Sequence, residues 1–372
     1  MFHLPLPSDF TPRPLPSNPF LQADLYAAFN LCLNLESRAH LVPLPDPRHP
    51  PVVLCACVLG YTLLEVPSVS GNEHMTKSIN EVNTDDALLA LGNYYIQSLL
   101  HIFTTKGPGT PVPSDDPSSP DVDNLAEFRR YILEQSSMNP SRAKKAASIS
   151  GTFHALLRDG FHCMLKTNMY DVEYLDRKLS AVLARNPNCD AEPLKCAHIF
   201  PETFDSNLGE NDEFRLSDKV SPIWAVVRMI GIQMEELNGT GIHRLENSLT
   251  LCSGFFEYFN RLALWLQAVK DQPHTYVVVS TSPATLRRLP SRVVTFTTPD
   301  PEALPLPSPV YLAIHAACCR IARMSGAADY VDKVLREKEE LRARTASMGI
   351  LAEDGSSMDV FGQYITAVLR VP

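Results

Sequence analysis

The sequence predicts a mixed α+β fold that is mainly helical and contains short β-strands. Apolar residues recur at helical spacing in several segments, of which LQADLYAAFNLCLNL (21–35) is the first. Short runs rich in Val and Thr, such as Tyr276 to Ser280, have the composition of strands. The chain has 372 residues, 45% hydrophobic and 20% charged, which is sufficient for one large core or two modest ones.

Charge and cysteine content narrow the class of protein. A net charge of -9 argues against a strongly basic nucleic-acid coat protein and leaves room for a scaffold without a nucleic-acid role. Nine scattered cysteines without a C-x-x-C pattern predict reduced thiols in an intracellular protein. The longest apolar run, 52–64, is too short to cross a bilayer, so we expect no membrane partner.

Proline-rich segments divide the first third of the chain. Residues 1–20 are expected to form an extended arm, 21–106 an N-terminal α+β region, and 107–124 a Pro/Ser/Asp loop. Within 21–106 we predict helices at about 21–35 and 83–104, the second capped by Thr84. The run Val52 to Glu65 is rich in Val, Leu, Cys and Tyr and bounded by prolines, which favours one or two buried strands.

The region 125–270 begins with helical patterning over 125–157, with a break near Asn139 and Pro140. Arg142, Lys144 and Lys145 cluster after the break and are candidates for contacting nucleic-acid phosphates; a solvated helix face is the alternative. The remaining predictions are a turn and strand at 158–166, a helix or connector at 172–183, strands at 195–200 and around 249–251, an acidic loop at 205–213, a helix at 222–237, and an amphipathic helix at 255–269.

The region 271–372 is predicted to combine strands and helices. Strands are expected at 276–280 and 293–298. Helices are expected at about 310–324 and 327–346, with a last helix near the end of the chain.

Three separated segments carry a family resemblance. Cys196-Ala197-His198-Ile199-Phe200-Pro201, then Asn247, then the segment around Phe256 resemble the HNH, or ββα-metal, nucleases. The chain is most similar to fungal HNH-nuclease-domain proteins, through RDGFHCMLK, IHRLENSLT, LALWLQ and the segments LPLPSPVYLAIHAACCRIARMSGAADYVDKVLR and LAEDGSS. The resemblance implies a ββα-metal motif within 195–269 and a family-specific C-terminal region.

The same resemblance implies a chemistry and a partner. His198 takes the place of the general base that activates water, and Asn247 that of the residue orienting the loop or the histidine. A reference pKa of about 6.5 suits a base at neutral pH. The expected cofactor is one divalent ion (Mg, Mn or Zn), and DNA is the expected partner. Without the resemblance, a buried histidine bonded to a carbonyl is the better interpretation of His198.

The sequence departs from the family at the metal ligands. Phe256 occupies the position expected to hold a ligating histidine, Asn260 that of an acid one turn later, and Ala197 that of a further ligand. Asn260 offers only a neutral amide oxygen, a weaker donor than carboxylate. Two hypotheses follow: residues elsewhere, such as Glu202, Asp205 or Glu257, hold the metal, or the chain is an inactive pseudonuclease that binds nucleic acid or protein.

Overall fold

The computed structural model describes residues 12–44, 49–82, 84–104, 140–200, 237, 239–334 and 336, with side chains at 98–104 and 140–147 left out. The chain divides into two compact units, Met1–Ala328 and Asp329–Pro372. In the second unit, the described residues are helical. The mixed α+β fold class is confirmed.

The N-terminal part of the first unit is a cluster of helices around one buried helix. The helices are α1 Ala23–Ser37, α2 Val52–Glu65, α3 Val69–Glu81 and α4 Asp85–Thr104. Helix α2 contacts α1, α3 and α4. Thr84 caps α4 as predicted, since its Oγ1 accepts from the Ala87 amide at 3.2 Å.

The prediction of strands at 52–65 is wrong, because this segment is helix α2. Eleven of its residues are buried and they lie on every side of the helix, so it has no polar face. A uniformly apolar run gives no periodicity by which a buried helix is distinguished from a strand. The described part of 21–106 therefore contains helices and no strand, contrary to the predicted α+β region, and α3 was not predicted.

The described part of the proline-rich arm lies against the helices. Leu15 is buried and its side chain contacts the backbone at Gly60 of α2. The Tyr61 hydroxyl donates to the Pro14 carbonyl at 2.9 Å. Residues 12–20 therefore have an irregular backbone packed on the core.

Three small sheets follow in the described part of the chain. The first joins β1 His162–Cys163, β2 Lys166–Tyr170 and β3 Asp190–Ala191, with α5 Pro140–Arg158 before it and α6 Val172–Arg185 between β2 and β3. The second is the antiparallel pair β4 Leu194–His198 and β5 Ser248–Cys252, followed by α7 Ser253–Asn260. The third joins β6 Leu264–Ala268, β7 Thr275–Ser280 and β8 Val293–Thr295, all antiparallel.

The predicted helix at 255–269 is only half correct. Helix α7 ends at Asn260, and LALWLQ belongs mostly to strand β6. Leu262 has a φ of 53°, a left-handed conformation that stops the helix. Leu264 and Leu266 then pair with Ser280 and Val278 of β7, which supplies the ladder that the isolated segment lacks.

The last described elements are helical. They are α8 Pro283–Arg287, α9 Pro309–Ser325 and the helical residues 327–334. Helix α9 contacts both α2 and β6, so it joins the helical cluster to the third sheet. Several predicted segments lie outside the described residues. They are 107–124, 125–139, the acidic loop at 205–213, the helix at 222–237 apart from Leu237, and the end of the chain.

Candidate functional site

The segment predicted to hold the site forms two antiparallel strands followed by a helix. Strand β4 ends at His198, which is paired with Ser248, the first residue of β5. Helix α7 begins directly after β5 and contacts both strands. The order of elements is therefore strand, strand, helix, with Asn247 immediately before the second strand.

Asn247 holds the loop that follows His198. Its side chain is fully buried. Its Oδ1 accepts from the Phe200 amide at 2.9 Å, and its Nδ2 donates to the carbonyls of Phe200 and Ile242 at 2.9 and 2.8 Å. The Asn247 carbonyl accepts from the Ile199 amide at 2.8 Å. One side chain thus fixes the backbone after β4 to the turn before β5.

His198 contacts a second histidine that the sequence did not single out. The Nε2 of His198 lies 3.2 Å from the Nδ1 of His243, at the end of the 3₁₀ helix Gly239–His243. His198 retains some exposed surface, whereas His243 is only 5% exposed. The only sequence signal for His243 is its place four residues before Asn247. That spacing does not predict the contact with His198, because the contact depends on how the chain turns before β5.

The geometry of the two imidazoles is that of a hydrogen bond. Their ring centres are 5.3 Å apart and the two nitrogens 3.2 Å, a difference of 2.1 Å. That difference is about twice the distance from a ring centre to its own nitrogen, so the nitrogens point at each other. A metal bound to both rings requires lone pairs that converge on a third point, at about 2.0–2.1 Å for zinc. We therefore assign the pair as N–H···N.

Burial, followed by repulsion from His243, lowers the pKa of His198 from 6.5 to about 3. The sequence-based expectation of an ordinary histidine pKa is therefore corrected. At neutral pH the ring is uncharged and has a lone pair to accept a proton, but it is a weaker base than a free imidazole. An anionic phosphate beside the ring would raise its pKa again.

Phe256 of α7, at the position where the resemblance implies a metal ligand, contacts a lysine. The Lys195 ammonium lies 4.9 Å from the centre of the Phe256 ring and 3.8 Å from Glu257 Oε1. Lys195 and Ala197 alternate with Cys196 and His198 along β4, so the two pairs of side chains face opposite sides of the strand pair. Because Lys195 contacts Phe256 and Glu257, helix α7 covers the side of Lys195 and Ala197. Cys196 packs instead with Ala155 of α5.

The described residues do not fit a divalent ion at this position. Phe256 and Ala197 have no donor atoms, and Asn260 contributes one neutral amide. Across the residues with assigned positions, no cluster of three or more His, Cys, Asp or Glu side chains is arranged to hold a metal. Glu257 is exposed and paired with Lys195. Glu202 and Asp205, which the sequence also offers as ligands, lie outside the described residues.

A buried ion pair holds the backbone on either side of Asn247. Arg158 and Asp159, the first residues of the RDG segment, form two hydrogen bonds of 2.7 and 2.8 Å. The same guanidinium donates to the carbonyls of Leu245 at 2.8 Å and Ser248 at 3.0 Å, on either side of Asn247. The sequence predicted only a turn here, because a single chain cannot show which distant carbonyls an arginine reaches.

The basic cluster cannot be placed beside the site. Arg142, Lys144 and Lys145 belong to α5, but their side chains lie outside the described part of the structure. All nine cysteines are described, and none forms a disulfide. None of the described helices combines the length and apolar composition needed to cross a bilayer.

Comparison with known proteins returned no match: no family model, no curated protein and no solved structure matches this chain.

Proposed function

We propose that this chain is an HNH-like endonuclease that hydrolyses phosphodiester bonds of nucleic acid inside the cell, with DNA as its substrate. The observation that supports it is the buried Asn247, which holds the loop after His198 with three side-chain hydrogen bonds. Such a clamp is what a strand-end base needs to keep its place relative to a substrate.

In this proposal His198 takes a proton from the attacking water. The ring is neutral at physiological pH, and the residue, which is partly exposed, lies at the end of a strand. Asn247 positions the loop and does not exchange protons, because an amide does not titrate. The nuclease family uses a divalent ion, whose ligands are not found among the described residues.

The alternative function is an inactive HNH-fold module that binds nucleic acid or protein. The contact that favours it is Lys195 above Phe256, at the position where the resemblance to HNH nucleases implies a metal ligand. An ammonium there can attract a phosphate without performing hydrolysis.

A plasmid-nicking assay tests the proposal. Wild type and His198→Ala are compared with Mg²⁺, Mn²⁺, Zn²⁺ and a chelator; we expect wild-type nicking and a loss of roughly 10² to 10⁴-fold in the variant. Equal rates would eliminate His198 as the base. An inactive wild type that gains metal-dependent cleavage through Phe256→His with Asn260→Asp would establish the inactive module.

A further inference from the structure

We propose that His243 is a positioning residue for His198. It accepts a hydrogen bond from the His198 Nε2–H and thereby holds His198 in the tautomer whose Nδ1 carries the lone pair. The catalytic consequence rests on the proposed nuclease function, whereas the tautomer itself can be measured without catalysis.

The contact requires one donor and one acceptor. A neutral imidazole carries one N–H and one lone pair, so two neutral rings joined through one nitrogen each form a single N–H···N bond. The joined atoms are His198 Nε2 and His243 Nδ1. Within the described residues, His243 is the hydrogen-bond partner that the His198 ring contacts.

The direction of the bond decides whether His198 can act as a base. If His243 donated, the His198 Nε2 lone pair would be occupied and its Nδ1 would carry the hydrogen, leaving no site for another proton. If His198 donates, its Nδ1 is unprotonated and can accept. The base role is therefore compatible with only the second arrangement, in which His243 carries its hydrogen on Nε2.

The backbone that carries His243 is held on two sides. Its carbonyl lies against Gly151 of α5, where an added Cβ would be only 2.5 Å from the oxygen. The preceding carbonyl, of Ile242, accepts the 2.8 Å hydrogen bond from Asn247. The backbone at His243 is thus held from the helix on one side and from the asparagine on the other, and the residue is only 5% exposed.

The proton transfer balances without a further reactant. The water O–H bond breaks, its proton moves to His198 Nδ1, and the hydroxide attacks phosphorus. The bond from phosphorus to the leaving oxygen breaks, and that oxygen takes a proton from solvent. His198 is then an imidazolium whose Nε2–H still donates to His243, and a charge-assisted hydrogen bond is stronger than a neutral one.

Two variants at position 243 separate positioning from packing. In His243→Asn the side-chain oxygen can occupy the place of Nδ1 and accept the bond, whereas His243→Leu fills similar space without an acceptor. We expect kcat for DNA cleavage to fall about 10-fold or more in the Leu variant with little change in KM, and to stay within about threefold in the Asn variant. Circular dichroism checks that both are folded.

The second readout is the nitrogen NMR spectrum of protein labelled with ¹⁵N-histidine, at neutral pH. We expect His198 as the Nε2–H tautomer in wild type and His243→Asn, and mixed tautomers in His243→Leu. An Nδ1–H tautomer in wild type overturns the proposal whatever the activity.

The outcomes for function and positioning are distinguishable. If the wild type cuts DNA and the His243→Leu variant is equally active, the positioning role of His243 is overturned and the nuclease assignment stands. Wild type that never cuts DNA overturns the proposed function, and its spectrum then decides the tautomer alone. If the Leu variant does not fold, the Asn variant and the wild-type spectrum still decide.

Discussion

At the scale of single residues, Asn247 illustrates how one buried amide organises a site. Its oxygen and both donated bonds are used within the protein, and each partner is a backbone group in a buried contact. Replacing the side chain leaves the amide and carbonyl of Phe200 and the carbonyl of Ile242 without this partner.

We expect Asn247→Ala to lower the free energy of unfolding by about 2–4 kcal/mol, because buried polar groups left unsatisfied cost about 1–3 kcal/mol each. Urea unfolding measures it. The matched control is Asn34→Ala, on the exposed side of α1, where a change within about 0.5 kcal/mol is expected. Equal effects of the two substitutions would contradict the clamp.

The residues of the site were predictable in part. The pattern around His198 and Asn247 predicts a strand-end histidine and an asparagine before a second strand, and β4 and β5 place both there. His243 and Arg158 were not predicted as members, because their roles depend on contacts across 45 and 87 positions of sequence. Such contacts leave no local periodicity.

At the scale of elements, amphipathic segments are predicted well and uniformly apolar ones poorly. Helices α1 and α4 each have a buried stripe and an exposed face among their described side chains, and both were expected. Helix α2 is buried nearly all round, so its pattern indicates strands as readily as a helix. Strand β6 has a pattern that favours a helix, because its pairing with β7 is a tertiary contact.

The approach of α2 to α4 depends on a glycine. A Cβ at Gly92 of α4 would lie 2.6 Å from the Cys55 Cβ and 2.9 Å from its Cα, atoms that cannot move aside. We expect Gly92→Ala to lower the free energy of unfolding by about 1–3 kcal/mol, although alanine has a better helix propensity than glycine.

Gly254→Ala in α7 is the control for Gly92→Ala. Its added Cβ meets the end of the Arg288 side chain, which can move away, and we expect a change below about 1 kcal/mol. Thermal unfolding of both variants checks the pair. A harmless Gly92→Ala would show that α2 and α4 do not pack this closely.

At the scale of the whole molecule, buried histidines link stability to pH. His315 of α9 is buried and stacks on Phe259 of α7 with ring centres 3.9 Å apart. Burial lowers the pKa of His315 from 6.5 to about 3, as it does that of His198. Both groups gain a proton more readily in the unfolded chain.

Stability should therefore fall on acidification. Below about pH 6.5 these two histidines bind protons in the unfolded chain but not in the folded protein. The free energy of unfolding therefore decreases towards pH 3 by up to about 1.4 kcal/mol per pH unit for each histidine. Above pH 6.5 these two groups give no dependence. Urea unfolding at pH 7, 6, 5 and 4 tests this, and His315→Leu should reduce the slope; an unchanged slope would contradict the assignment.

The central proposal is that His198, at the end of β4 in the unit formed by β4, β5 and α7, acts on a nucleic-acid phosphodiester. The most direct measurement follows binding and cleavage of one labelled DNA duplex by wild type and His198→Ala, at several salt concentrations. We predict binding that weakens with salt and is equal within about twofold in the two proteins, with cleavage reduced by roughly 10²-fold or more in the variant. Equal cleavage by both proteins, or no binding by wild type at low salt, would contradict the account.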